Sequence, residues 1–504
     1  MRAATLTPRG LRAILAPALA GALLLLATPA APAAAFDAAA WQADFDALEH
    51  ALEARYPNLA WLGSPRGGVD LVALDRRTRA ALAAARTDAQ AEAAITGFVD
   101  ALHDGHLQRV PREPAAQAPA PGASAAPRAS DCSALEIEPP REPGFSAALA
   151  NLPGFSADAA PTPFPAAQLR TPHGLRLGAI RIASFTEMAY PSLCARALRE
   201  LQEAHVAVTA HRLRDAMADD WLEALAAALG AAKQHGVDAL VVDIRGNAGG
   251  NDAGDWSVRM FTPAPVRSAR LLMAPTPGAA AYAETQSRHL RRGLDKLGDA
   301  AASAPLAAQM RQSLDEFGAR RGAAGAARCD LSWVWRERRD WNEGLCKGLV
   351  DMGFASGGVA YLAPVAPRER DIASYLYWPA QADAWRGAWS GPVYVLVDAQ
   401  VWSSAEMFAA SMRDNGVARI VGQRTGGAGC GNMGDDPLIE LPHSGLAFHL
   451  PDCVRLRADG SDEVAGVEPD LPVAPIAGED AAAHAGRLVE AIERDLLAHR
   501  PPAR

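Results

Sequence analysis

Lysine is almost missing from this chain: Lys233, Lys296 and Lys347 are the three among 504 residues. Any chemistry that needs a lysine beyond position 347 is therefore excluded. Positive charge is also outweighed overall, with 49 Lys and Arg against 58 Asp and Glu and a formal charge of −9. That balance argues against nucleic acid or an anionic membrane as the main partner. The six cysteines include no C-x-x-C pair, which favours disulfides over a metal cluster in an exported chain. There is no P-loop Gly-Lys-Ser, no internal repeat, and no apolar run after the first residues long enough to cross a membrane.

Those first residues read as a secretion signal. Arg2, Arg9 and Arg12 precede a mostly apolar run over 11–27, and Ala33-Ala34-Ala35 stands ahead of Phe36. This is the charged, apolar and A-x-A order of a cleaved signal peptide. A retained membrane anchor fits less well, because Pro17 breaks the run and it is short for a span of ~20 residues. No cysteine lies near the cleavage point to carry a lipid. Residues 1–35 are thus expected to be removed, leaving a periplasmic or secreted protein without an anchor. Losing three arginines and no acid takes the formal charge to −12. Cys430 and Cys453 flank one expected hairpin, and Cys329 and Cys346 a Trp-rich turn, so both pairs can close locally. Cys132 and Cys194 are left over, and spacing does not settle their pairing.

Composition divides the mature chain. Residues 36–106 form an expected helical cap, with Trp41, Phe45, Leu48 and Leu52 at helical spacing, Tyr56-Pro57 as a stop, and a second helix over 88–102. Residues 107–172 are a Pro/Ala-rich linker and a segment without clear periodicity. Residues 173–475 alternate strand and helix, which predicts an α/β core with a mainly parallel sheet. Strands are expected at 179–183, 239–242, 393–397, 417–421 and 446–450, and helices at 192–204, 219–235 (capped by Asp219 or Asp220) and from Ser403. A long helical insertion at about 255–388, with a helical pair near 280–320, interrupts this core. It forms either a lid or a satellite domain. Residues 476–504 supply a final helix.

Ser403-Ser404-Ala405-Glu406 follows a buried strand and opens a helix. Read alone it is a capping box, which stabilises a helix start and implies no catalysis. The same place suits a nucleophile, since the helix N-terminus favours developing negative charge. Asp243-Ile244-Arg245-Gly246-Asn247-Ala248-Gly249-Gly250 ends another buried strand, where α/β sheets bind ligands. An ordinary Gly-rich turn explains its glycines but not the Asp-x-Arg beside them.

Together these stretches resemble the C-terminal-processing and tricorn-type serine peptidases. Residues 243–250 look like that family's D-x-R-x-N-x-G-G signature, and 395–406 like its strand and S-x-A-E nucleophile motif. Arg419-Ile420-Val421-Gly422-Gln423-Arg424-Thr425 is similar to its next strand and turn. Residues 178–185 resemble the strand that opens its core. Leu102-His103-Asp104-Gly105-His106 resembles its L-x-D-G-H element, and Glu463-x-x-Gly466-Val467-x-Pro469-Asp470 its closing motif. Six elements occur in the family's order. The resemblance implies a crotonase-like core, Ser403 as nucleophile, and backbone N–H groups of Gly250 and Ser404 as the oxyanion hole. Processing peptidases take a lysine as base after the serine. Here Thr425-Gly426-Gly427-Ala428-Gly429-Cys430 occupies that stretch, so a Ser–Lys dyad is excluded. The tricorn-like branch takes a His and a Glu, which match His106 and Glu463. His is a natural base for a Ser hydroxyl, and a carboxylate fixes its tautomer. His103 and His106 also have the spacing of a metal pair, unsupported by H-E-x-x-H or a Cys cluster, and a structural His106 is a further alternative. No PDZ module is legible between His106 and the core. No cofactor and no metal are implied, and the expected substrate is a peptide or protein. Two alternatives stay open: an esterase-like relative, or a non-catalytic one binding apolar small molecules as the interphotoreceptor retinoid-binding proteins do.

Overall fold

The computed structural model describes residues 36–111, 132–158, 162–298, 304–324, 329–341, 346–362, 365–434 and 438–499. The signal segment 1–35 and most of the Pro/Ala stretch lie outside these residues. At the centre stands a seven-stranded sheet. Its strands lie side by side in chain order: Phe155–Ala157, Ala166–Arg170, Arg176–Arg181, Ala239–Asp243, Val393–Val397, Arg419–Gly422 and Leu471–Pro472. The first two pairings are antiparallel and the other four parallel.

The middle strands are runs such as Val393-Tyr394-Val395-Leu396-Val397, buried at every position, as a parallel strand covered on both faces must be. On one face Val393, Val395, Ile180, Val242 and Ile420 pack beneath helices Pro191–Glu203, Ala210–Gln234 and Ser404–Asp414. On the other, Tyr394, Leu396, Leu177, Val241 and Val421 pack beneath Ala481–Ala498. The core is therefore a mainly parallel sheet between helical layers. Its first two strands fall within 107–172, where the Pro-rich sequence carries no strand period.

The helix expected from 219 begins at Ala210 instead. Thr209 caps it, its hydroxyl accepting the Arg212 N–H at 3.2 Å, while Asp220 lies mid-helix in an ion pair with Arg196. In the amino-terminal region Ala38–Arg55 and Asp88–Asp100 are helices as read, and Leu71–Ala84, capped by Asp70, is one the sequence reading missed. This region is tied to the core: the Asp44 carboxylate accepts from the N–H groups of His443 and Ser444 at 2.8 and 2.7 Å.

Within the insertion, helices Pro277–Leu297 and Ala304–Ala323 pair as expected. Strand Arg270–Met273 pairs with Val350–Phe354 on one side and with Cys453–Leu456 of the core on the other. That shared sheet makes the insertion a part of the core rather than a satellite. Cys430–Cys453 and Cys329–Cys346 are disulfides, and the remaining pair, Cys132–Cys194, is one too. Among the described residues no helix is long and apolar enough to cross a membrane.

Candidate active site

Strand Val393–Val397 delivers the chain through turn 398–402 to Ser403, and the helix starts one residue later. Ser403 has φ 51° and ψ −122°, a backbone that L-residues avoid and that surrounding bonds must hold. The Glu406 carboxylate accepts the Ser403 N–H at 3.2 Å, the Ser403 carbonyl accepts from Met407, and the Trp402 N–H donates to Asn247. The result carries the Ser403 side chain to the sheet end, where its Oγ lies 3.1 Å from His106 Nε2.

His106 arrives from the amino-terminal region on a tight loop. Asp104 accepts the His106 N–H at 2.9 Å, and its other carboxylate oxygen is held by Tyr56 Oη at 2.7 Å and Asn58 Nδ2 at 2.8 Å. Burial pushes the Asp104 carboxyl above the usual range. Between Asp104 and His106 only glycine fits, because a Cβ on Gly105 would run into the Trp402 ring. The signature Leu-His-Asp-Gly-His is thus a mount: its Asp positions the loop and its Gly admits the residue before Ser403.

The other ring nitrogen of His106, Nδ1, is 2.6 Å from the Ala428 carbonyl oxygen. A carbonyl can only accept, so Nδ1 carries the proton and Nε2 turns its lone pair to the Ser403 hydroxyl. The loop bearing Ala428 is held by Glu406, which accepts from Thr425 Oγ1 at 2.5 Å and from the N–H groups of Gly427 and Ala428 at 2.7 Å each. One buried carboxylate therefore fixes both the nucleophile's backbone and the carbonyl that orients the histidine. Burial pushes Glu406 up to about 7, against the pull of these donors.

Glu463 sits elsewhere in the network. It is buried, and its two oxygens accept from Arg455 Nε at 2.5 Å and an Arg455 terminal nitrogen at 3.2 Å. None of its hydrogen bonds reaches His106. The same Arg455 also donates to the Gly429 carbonyl at 2.9 Å, one residue from Ala428. Sequence reasoning had passed over both Ala428 and Arg455. A backbone acceptor leaves no residue signature, and a lone arginine in a strand gives little.

Gly250 has φ 148°, and a Cβ there would run into the Phe185 carbonyl. Phe185 bonds to Gly249 and Asn251 on either side, both at 2.9 Å, which leaves the Gly250 N–H unused by that bridge. Ser404 opens a helix, where the first N–H groups have no intrahelical acceptor, and its hydroxyl donates to the Asn251 carbonyl. Gly250, Ser404, Ser403 and His106 line one cleft of about 410 Å³, and Tyr282 and Trp378 of the insertion form its far wall. Among the described residues no group of three or more His, Cys, Asp and Glu side chains is placed to hold a metal. The arrangement can deprotonate a hydroxyl beside a bound carbonyl and offer two backbone donors to the oxyanion that forms.

Residues 343–473, which carry Ser403 and the closing motif, match the sequence model of Peptidase family S41. Over that stretch the chain is similar to the serine peptidases of family S41. The fold is shared with mature CPAF, at 15% identity and a TM-score of 0.51, covering 91% of this chain and 98% of that one. The structure of mature CPAF complexed with lactacystin aligns at 15% identity and a TM-score of 0.54, covering 92% and 100%. No curated protein matches the chain by sequence.

Proposed function

We propose that the peptidase cleaves peptide bonds through an acyl-enzyme on Ser403, with His106 as general base. His106 Nε2 takes the hydroxyl proton as Oγ attacks the carbonyl carbon, and the oxyanion is received by the N–H groups of Gly250 and Ser404. The imidazolium returns the proton to the leaving amine, and water then repeats the sequence on the ester. The observation that carries this reading is the 3.1 Å approach of His106 to Ser403 with a carbonyl fixing its tautomer. Glu463 serves as orienting carboxylate at one remove, holding Arg455 and thereby the 428–429 loop. A histidine base aligns the chain with the tricorn-like branch, and the strand order supports a crotonase-like core. Three disulfides support export to an oxidising compartment.

Labelling by a fluorophosphonate tests the assignment. Ser403→Ala is expected to abolish the adduct, and Ser404→Ala to keep much of it, because the Ser404 hydroxyl is already engaged with Asn251. An adduct that survives in Ser403→Ala and vanishes in Ser404→Ala would reverse the two roles. A protein that never labels would instead favour the non-catalytic, ligand-binding relative.

A further inference from the structure

We propose that Asp252 selects substrates carrying a lysine or arginine beside the scissile bond. This rests on the cleft at Ser403 being the substrate site. Asp252 stands two residues beyond Gly250 and lines that cleft. Its carboxylate caps no helix and gains no hydrogen bond or ion pair within the described residues, and burial pushes it up to about 6. It is ionised above that value.

Arg455 attracts it without an ion pair, and Asp255 repels it. Arg455 reaches the cleft but is bound to Glu463. Asp255, a turn further on, is matched by Arg259 at 3.4 Å and by Ser356 Oγ. Asp252 is the carboxylate at the cleft wall that no cation pairs directly. A second, independent feature lies in the wall of the same cleft. Tyr282 is 4% exposed, and its Oη has no hydrogen-bond partner. Gln286, one helical turn on, also lines the cleft. A buried hydroxyl without a partner is costly and rare.

A cationic side chain answers both features at once. An ammonium or guanidinium donates to the Asp252 carboxylate and to the Tyr282 oxygen, and the Trp378 ring offers its stem an apolar surface. An apolar side chain would leave the carboxylate and the phenol without partners in a site it had dried. An acidic one would face Asp252 directly. Discrimination then comes chiefly from polar groups left unpaired by the wrong substrate.

The test uses two fluorogenic peptides that differ at one residue flanking the bond, lysine in one and Nε-acetyl-lysine in the other. With the mature wild-type enzyme, kcat/KM is expected to favour lysine by roughly 10- to 100-fold. Asp252→Asn should bring that ratio close to one, and Asp252→Lys should turn the preference toward a glutamate peptide. Tyr282→Phe, which removes only the hydroxyl, should lower the ratio several-fold and serves if the Asp252 variants fail to fold. Equal cleavage of both peptides by an enzyme that still labels with fluorophosphonate, or a ratio unchanged in Asp252→Asn, overturns the assignment to Asp252 alone. A wild-type enzyme that neither labels nor cleaves overturns the Ser403 reading and this inference with it.

Discussion

Two glutamates are buried near Ser403 and His106, and their surroundings differ. Glu406 has no cation; it is bound by one hydroxyl and three backbone N–H groups, those of Ser403, Gly427 and Ala428. Glu463 is bound by Arg455 and reaches the site only through that arginine. The first environment joins separate stretches of backbone, and burial there pushes the carboxyl up to about 7. The second makes a neutral pair that braces one loop. Motif position suggests a catalytic part for Glu463 and a capping part for Glu406. The hydrogen bonds make Glu406 the more direct determinant of where Ser403 and His106 meet.

The largest loss should follow removal of the base proposed above. His106→Ala should lower kcat/KM by a factor on the order of 10⁴ to 10⁶, as for triad members that act as a unit. A variant folded by circular dichroism that keeps a tenth of wild-type activity would leave the comparison with nothing to explain.

Glu406→Gln comes next, with an expected loss on the order of 10² in kcat, comparable to losing one oxyanion donor. The amide presents N–H groups to backbone donors and should dislodge Ala428 from His106. Stability adds a second readout. Glu406 titrates near 7 in the folded protein against an ordinary 4.5. Between those values the folded state holds a proton that the unfolded chain has released, so the stability contributed by this group falls as pH rises through that window. Urea unfolding at pH 5 and pH 8 should show wild type losing ground to Glu406→Gln on the way up. Parallel profiles would place the charge of Glu406 outside the balance described above.

The smallest effect on activity is expected at the second glutamate. Glu463→Gln should cost roughly tenfold in kcat/KM, because it acts through Arg455. Arg455→Met should cost about the same, and the double variant little more than either, as coupled neighbours do. Each single variant leaves a buried charge without its partner, at about 3–5 kcal/mol, so thermal denaturation should register them more strongly than turnover does. A loss as large as that of His106→Ala would instead restore Glu463 to direct action on the imidazole.

The parts legible in the sequence are those where one physical demand dominates. Val393–Val397 and Ala239–Asp243 are buried on both faces, and continuous apolar runs betray them. Ser403, Gly250 and His106 stand in motifs whose spacing survives translation into geometry. What stayed hidden depends on partners remote in the chain. Ala166–Arg170 alternates weakly among prolines and is a strand because Arg176–Arg181 lies beside it. Leu71–Ala84 carries three arginines, and Arg79 finds Asp46 and Glu49 only after folding. The acceptor at His106 Nδ1 is a main-chain oxygen, chemically the same at every residue.

His106 lies 297 positions before Ser403 and 322 before Ala428. At roughly 5–20 residues per second, a ribosome that has just emitted the histidine needs on the order of tens of seconds to emit the serine, and more before the loop bearing Ala428 follows. Until then no segment of the nascent chain contains all three of the groups proposed to act together. On the proposed mechanism the chain therefore stays inert until that loop has been made, a safeguard that arises from connectivity alone.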